Sequence, residues 1–191
     1  MSGPVLVSGE RLGAVRGERV LFSDVSVLLH AGEAVLLRGA NGSGKTTLLR
    51  QVAGLSEAQA GHVERRGTHH WLGHTNGLKS HETPRSHLRH WAKVWGSNAD
   101  IDDVLARLSM RRPADVPSRM LSAGQKRRTA LGRLLLVARP IWLLDEPFNA
   151  LDTDGQAMLG EMIAAHRSTG GGLIAALHGN APINASREVS L

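Results

Sequence analysis

The sequence predicts an α/β fold, a mainly parallel sheet flanked by helices and preceded by an antiparallel β layer. Three observations carry this expectation. Short apolar runs alternate with amphipathic stretches along the chain, the pattern of strands in one sheet joined through helices. One run, Ala34 to Leu37, leads through a glycine-rich stretch directly into a helical pattern. Another, Ile141 to Leu144, is apolar without alternation, as a strand covered on both faces is, and delivers Asp145-Glu146 at its carboxyl end. In open α/β sheets ligands bind at that end.

Taken in order, residues 5 to 37 carry short β-type runs (Val5 to Val7, Val20 to Phe22, Val25 to Leu29, Ala34 to Leu37) broken by Gly13, Gly17 and Ala31-Gly32-Glu33. Lys45 to Ala53 reads as a helix stopped by Gly54. His70 to His74 reads as a strand running into a turn, and Thr83-Pro84 as a helix start with Thr at the N-cap. Leu88, Trp91, Ala92 and Trp95 then recur at helical spacing, which favours core packing over a docking surface. A short helix from Asp100 turns Ile101, Val104, Leu105 and Leu108 inward. After Leu121-Ser122-Ala123-Gly124-Gln125 a helix carries Ala130, Leu131, Leu134, Leu135 and Ala138 on its apolar side, up to Arg139-Pro140. Thr153 to His166 forms the next helix, Leu173 to Leu177 a buried strand presenting His178, and Arg187 to Leu191 a last edge strand.

Length and composition set bounds. At 191 residues the chain suits one domain with a full core. With no Cys, disulfides, thiolate metal sites and cysteine nucleophiles are excluded. No apolar run approaches the ~18 residues of a membrane span, and the N-terminus lacks the regions of a secretory signal, so the protein is expected to stay in the cytoplasm. The net charge of +6 is interspersed (Arg65-Arg66, Arg111-Arg112, Lys126-Arg127-Arg128) and lacks the aromatic interleaving of a single-strand reader, so solvated faces explain it. Seven of the ten histidines (His62, His69, His70, His74, His81, His87, His90) fall between Gly61 and Gly96. His70 and His74 precede and end a turn rather than share a helical face, and no Cys or carboxylate completes a ligand set, so surface histidines are expected rather than a metal site.

The glycine-rich stretch, Gly39-Ala40-Asn41-Gly42-Ser43-Gly44-Lys45-Thr46-Thr47, fits G-x-x-x-x-G-K-[ST], with a strand before it and a helix after it as a phosphate-binding loop requires. Glycines let successive N–H groups face one concavity, the helix directs its positive dipole end there, and Lys45 adds a charge. The bland alternative is a flexible loop. A P-loop NTPase fold follows from this context.

Five motifs arrive in order: the phosphate loop, Leu121 to Gln125, Asp145-Glu146 after its strand, Asn149-Ala150-Leu151-Asp152, and His178. Together they resemble the nucleotide-binding domain of ABC transporters over nearly the whole chain. The resemblance implies a single domain over 1–191 with a small helical subdomain at about 79–138, an ATPase acting with Mg²⁺, and a homodimer formed on ATP. Thr46 and Asp145 would hold the metal, which prefers oxygen ligands. Glu146 would activate the attacking water and His178 contact the γ-phosphate. Ser122, Ala123, Gly124 and Gln125, the signature, would meet the nucleotide of the opposite subunit, with Asp152 nearby.

Two departures narrow the match. The family's adenine-stacking aromatic is replaced by Val15-Arg16-Gly17-Glu18-Arg19, where Arg16 could stack through its guanidinium plane. His74, in Gly73-His74-Thr75-Asn76-Gly77-Leu78-Lys79, stands where the family offers Gln to Mg²⁺ and the membrane subunit. That loop, with DEPFxALD after the strand, is similar to the ATPase subunit of the haem exporter of cytochrome c maturation. The resemblance implies a peripheral subunit on the cytoplasmic face of the inner membrane, integral membrane partners, haem handled by those partners and no direct nucleic acid. Alternatives are an ABC-superfamily ATPase acting on nucleic acid or the ribosome, the ATPase of another small-substrate transporter, or a small P-loop kinase.

Overall fold

The computed structural model describes residues 3–179 and 182–191. Two compact units emerge from the contacts: Met1–Trp71 with Arg139–Pro147 and Ile163–Leu191, and Leu72–Ala138 with Phe148–Met162.

In the first unit, β1 (Val5–Arg16), β2 (Arg19–His30) and β4 (Ala60–Arg65) form an antiparallel sheet in the order β2-β1-β4. β1 and β2 are each 12 residues long, so Gly13 does not end a strand as the sequence suggested. The pairing absorbs it through register shifts between Gly9 and Leu12 and between Leu12 and Ala14, as β-bulges do. Gly17 does make a break, at the hairpin turn between Arg16 and Arg19.

The second sheet has the order β5-β6-β7-β3-β8, with β3 (Ala34–Arg38), β5 (His69–Leu72), β6 (Ile141–Asp145), β7 (Gly172–Ala176) and β8 (Arg187–Ser190). The pairs β6–β7, β7–β3 and β3–β8 are parallel. Every residue of β6 and β7 is buried, which explains their unbroken apolar sequences. α1 (Lys45–Ala53) packs Leu48, Leu49 and Val52 into a core with Val35, Leu37, Leu143 and Ile174. It ends at Gly54, whose φ of 71° is the left-handed conformation in which glycine closes helices.

The second unit is helical. α2 (Pro84–Val94) starts at Thr83, whose hydroxyl accepts from the Ser86 N–H while the Ser86 hydroxyl accepts from the Thr83 N–H. α3 (Ile101–Arg107) is capped by Asp100. α4 (Ala123–Leu131) is shorter than its apolar pattern suggests, because the chain tightens into a 3₁₀ turn over Gly132–Leu135. A Cβ on Gly132 would come within 2.7 Å of Leu108 and 2.8 Å of Leu88, so only glycine allows this packing. The tighter turn rotates the following side chains: Leu136 is buried, whereas Ala138 is exposed, contrary to the helical extrapolation. α5 runs over Thr153–Ser168. Trp91 and Trp95 are only half-buried, with ring centroids 4.9 Å apart and the Arg133 guanidinium 5.6 Å over Trp91.

Candidate functional site

The first unit gathers its chemistry where β3, β6 and β7 end. The loop after β3 has φ of 147° at Gly39, 77° at Gly42 and 106° at Gly44, conformations that side chains resist. A Cβ on Gly39 would lie 2.6 Å from the Ser43 hydroxyl and the Leu191 carbonyl, and one on Gly44 2.7 Å from Phe22. The loop therefore closes into a cradle because glycine occupies both positions. Gly44 is the N-cap of α1 and offers no side chain to its first N–H groups, leaving them for a ligand. Lys45, 6% exposed, donates from Nζ to the carbonyls of Gly39 at 2.7 Å and Ala40 at 3.0 Å. The Ser43 hydroxyl is enclosed without a hydrogen-bond partner, which fits a loop whose donors are matched by an anion. Ala40 and Asn41 are exposed at the rim, and Thr47 is half-buried in α1.

Beside the loop, Thr46 Oγ1 donates to Asp145, 3.1 Å and 3.0 Å from its two carboxylate oxygens. Asp145 is 2% exposed at the last position of β6. A hydroxyl and a carboxylate side by side make a hard-oxygen pair of the kind Mg²⁺ takes. Glu146 follows with φ 47°, a conformation that costs a non-glycine residue on the order of 1 kcal/mol and recurs at functional positions. Its N–H donates to the Ala176 carbonyl at 2.9 Å, and its Oε1 lies 3.0 Å from His178 Nε2. Arg16 is exposed at the end of the β1–β2 hairpin; Leu21 and Phe22 of the same hairpin lie against the Gly44 position.

The second unit holds the other motifs. Ser122 caps α4: its hydroxyl accepts from the Gln125 N–H at 3.1 Å, and Gln125 Oε1 accepts from the Ser122 N–H at 2.9 Å. Gln125 thus has a structural partner in its own helix. Ala123 and Gly124 form the first turn; a Cβ on Gly124 would lie 2.9 Å from the Ala150 carbonyl, so this glycine admits the 149–152 segment. Asp152 accepts from Arg128 Nη2 at 2.6 Å and from the Gly155 N–H at 3.0 Å, and the Arg128 hydrogen bond holds its carboxyl below the usual range. A cleft of about 600 Å³ lined by Ser122 to Gln125, Arg128, Ala150 and Asp152 opens there. His74 is exposed in the segment between β5 and α2.

The structure differs from the sequence expectation at three charged or titratable residues. Arg127, in a run expected to be solvated, is 2% exposed. His70 and His87 are 2% and 1% exposed rather than on the surface. His87 Nδ1 lies 3.2 Å from Glu82, and burial pushes its pKa down. The run Lys126-Arg127-Arg128 carries no signal of burial, because helix phase near a cap depends on where the helix starts. Among the described residues, no three His, Asp or Glu side chains are grouped so as to hold a metal ion, and no helix is long and apolar enough to cross a membrane.

A phosphate cradle, a hydroxyl–carboxylate pair at a strand end and a helix-capping signature on a separate helical unit together define an ABC-type ATPase. Comparison with known proteins agrees: the profile of the ABC transporter family matches residues 22–149. The cytochrome c biogenesis ATP-binding export protein CcmA of Hyphomonas neptunium is 55% identical over 97% of this chain and 96% of its own length. That of Methylococcus capsulatus is 46% identical, over 85% of this chain and 86% of its own. The chain belongs to this family of cytochrome c biogenesis ATP-binding export proteins. Among solved structures, an ABC transporter ATP-binding protein from Pyrococcus furiosus superposes with TM-score 0.82 at 20% identity, covering 97% of this chain and 96% of that one. An ATP-binding subunit of an ABC transporter superposes with TM-score 0.80 at 23% identity, covering 91% and 79%. At these identities the likeness concerns the fold.

Proposed function

We propose that this ATPase drives an export complex of cytochrome c maturation, in which haem or a haem-loaded chaperone is handled by partner subunits. The observation that carries the site reading is the adjacency of two pairs, Thr46 with Asp145 and Glu146 with His178, at the carboxyl edge of one sheet. Lys45 and the N–H groups of Gly39 to Thr47 hold the phosphates of ATP. Thr46 and Asp145 would hold Mg²⁺, which would supply positive charge to offset that of the phosphates. Glu146 takes a proton from the attacking water as its oxygen bonds the γ-phosphorus and the bond to the β-phosphate oxygen breaks. His178 orients Glu146 and contacts the γ-phosphate; His74 would take the place of the family's Gln and serve the metal's water shell. Arg16 stacks on the base.

Ser122, Ala123 and Gly124 close over the γ-phosphate of a second copy, with Asp152 beside them, so ATP joins a homodimer. The whole chain then acts as one nucleotide-binding domain, whose helical subdomain at about 79–138 meets integral membrane subunits on the cytoplasmic face. Phosphate release from wild type, Lys45→Ala and Glu146→Gln tests the site. Lys45→Ala should lose ATP binding, and Glu146→Gln should bind ATP yet turn over at least about 100-fold more slowly. Turnover by Glu146→Gln at the wild-type rate would refute the assignment.

A further inference from the structure

The β1–β2 hairpin turns at Arg16-Gly17-Glu18-Arg19, and the residues that follow lie on the phosphate loop: atoms of Leu21 and Phe22 come within 3.2 Å and 2.7 Å of where a Cβ on Gly44 would stand. With Arg16 stacked on the base, this hairpin decides which base is accepted. Val15 and Val20 face each other across the two strands, 45% and 59% exposed, and form an aliphatic platform beside Arg16. The Val15 N–H donates to Gln59 Oε1 and its carbonyl accepts from Gln59 Nε2 at 3.3 Å, so the main chain there is already matched and reads no base edge. The hairpin's phenyl ring, Phe22, is 6% exposed against the Gly44 position and is not offered to a base. A guanidinium plane and two valines remain. They hold a base by its faces, which every base has.

The tip side chains that can touch a base edge, Arg16, Glu18 and Arg19, are all exposed. They match guanine at least as well as adenine. Guanine O6 and N7 accept from an arginine and its N–H groups donate to a carboxylate, whereas the adenine amino group opposes an arginine. A site rejects the wrong base strongly only where a buried polar group would be left without a partner. At an exposed tip, water supplies that partner.

We infer that the nucleotide site accepts guanine as it does adenine, so that this chain hydrolyses GTP as well as ATP. The inference rests on the site proposed above, with Lys45 on the phosphates, Glu146 at the attacking water and Arg16 on the base. The reacting atoms are the same for both: the oxygen of water bonds the γ-phosphorus, the bond to the β-phosphate oxygen breaks, and a proton passes to Glu146. GDP and phosphate leave. A pyrimidine covers less of the platform, so CTP is the poorer substrate.

The test measures phosphate release by the full chain from ATP, GTP and CTP with Mg²⁺, and equilibrium binding of the same nucleotides to Glu146→Gln, which should hold them unhydrolysed. The ratio of kcat/KM for ATP and GTP should lie within about tenfold, as should the ratio of their dissociation constants, and GTP should inhibit ATP turnover competitively. Arg16→Ala should raise KM for both several-fold in parallel with kcat within about twofold, because a stacking contact is made equally in ground and transition states. A preference for ATP over GTP above about 100-fold in binding or turnover would overturn the inference. So would an Arg16→Ala variant with both KM values unchanged, or GTP hydrolysis that survives Lys45→Ala in the same preparation. Failure of the underlying site reading looks different. If Lys45→Ala hydrolyses ATP normally, the phosphate site itself is misassigned; if it loses ATP turnover while wild type ignores GTP, only the base inference fails.

Discussion

At the scale of single residues, the phosphate loop and Glu146 are held in conformations that most side chains avoid. Gly44 and Gly42 both have positive φ, but only Gly44 is also enclosed, 2.7 Å from Phe22 at the position a Cβ would take. Gly44→Ala should therefore destabilise by about 2 kcal/mol and abolish nucleotide binding. Gly42→Ala, with open space around it, should cost only about 1 kcal/mol of backbone strain. Thermal unfolding with and without ATP separates the two; equal shifts would show that packing against Phe22 is not the constraint. The glycines and Lys45 were legible in sequence because the motif is local. The 3.0 Å approach of Glu146 to His178 was not, since it joins two strand ends 32 positions apart in the chain. The parallel pairing of β6 with β7 creates it.

At the scale of elements, α4 shows one residue serving two ends. Ser122 closes a capping box, which by itself contributes about 1 kcal/mol, and it opens the signature. Ser122→Asp should preserve the cap and the melting temperature, because aspartate caps as well as serine, yet should cut ATP turnover by repelling the γ-phosphate. If turnover survives at unchanged stability, Ser122 is a cap only. On α5, the His166 ring stacks on Trp142 at 4.0 Å, and burial lowers its pKa from the ordinary 6.5. The unfolded chain takes up a proton near pH 6.5 that the folded chain refuses, so stability present above that pH is lost as pH falls through it. His87 acts in the same direction, although Glu82 partly opposes the effect. The melting temperature should drop between pH 7 and pH 5.5, and His166→Phe, which keeps a ring on Trp142, should flatten that slope. An unchanged slope would assign the pH dependence elsewhere. The 3₁₀ turn after Leu131 escaped the sequence reading, because a 3.6-residue period extrapolates through Gly132 without knowing that Leu88 and Leu108 press on it.

At the scale of the whole molecule, the proposal of a shared site predicts that Glu146→Gln with ATP sediments and scatters light as a dimer, whereas ATP-free protein does not. A monomer with ATP would place the signature and phosphate loop in one working copy. The charge of +6 also permits a nucleic-acid partner. For an export ATPase, turnover should be unaffected by RNA or DNA across a salt series. Stimulation that fades steeply with salt would instead identify phosphate contacts to nucleic acid.

The sequence by itself determined the strands and helices of the parallel sheet, the phosphate loop and the family, because these rest on short-range patterns: apolar runs, glycines at fixed offsets, a capping serine; β4, polar and mostly exposed, carried no such pattern. Only the tertiary structure decided which charges are buried, where α4 tightens, and how Thr46 meets Asp145 and Glu146 meets His178. Those facts depend on which distant segments share a surface. A guanidinium such as that of Arg127 reads as solvated until the fold places a carbonyl and an amide oxygen around it.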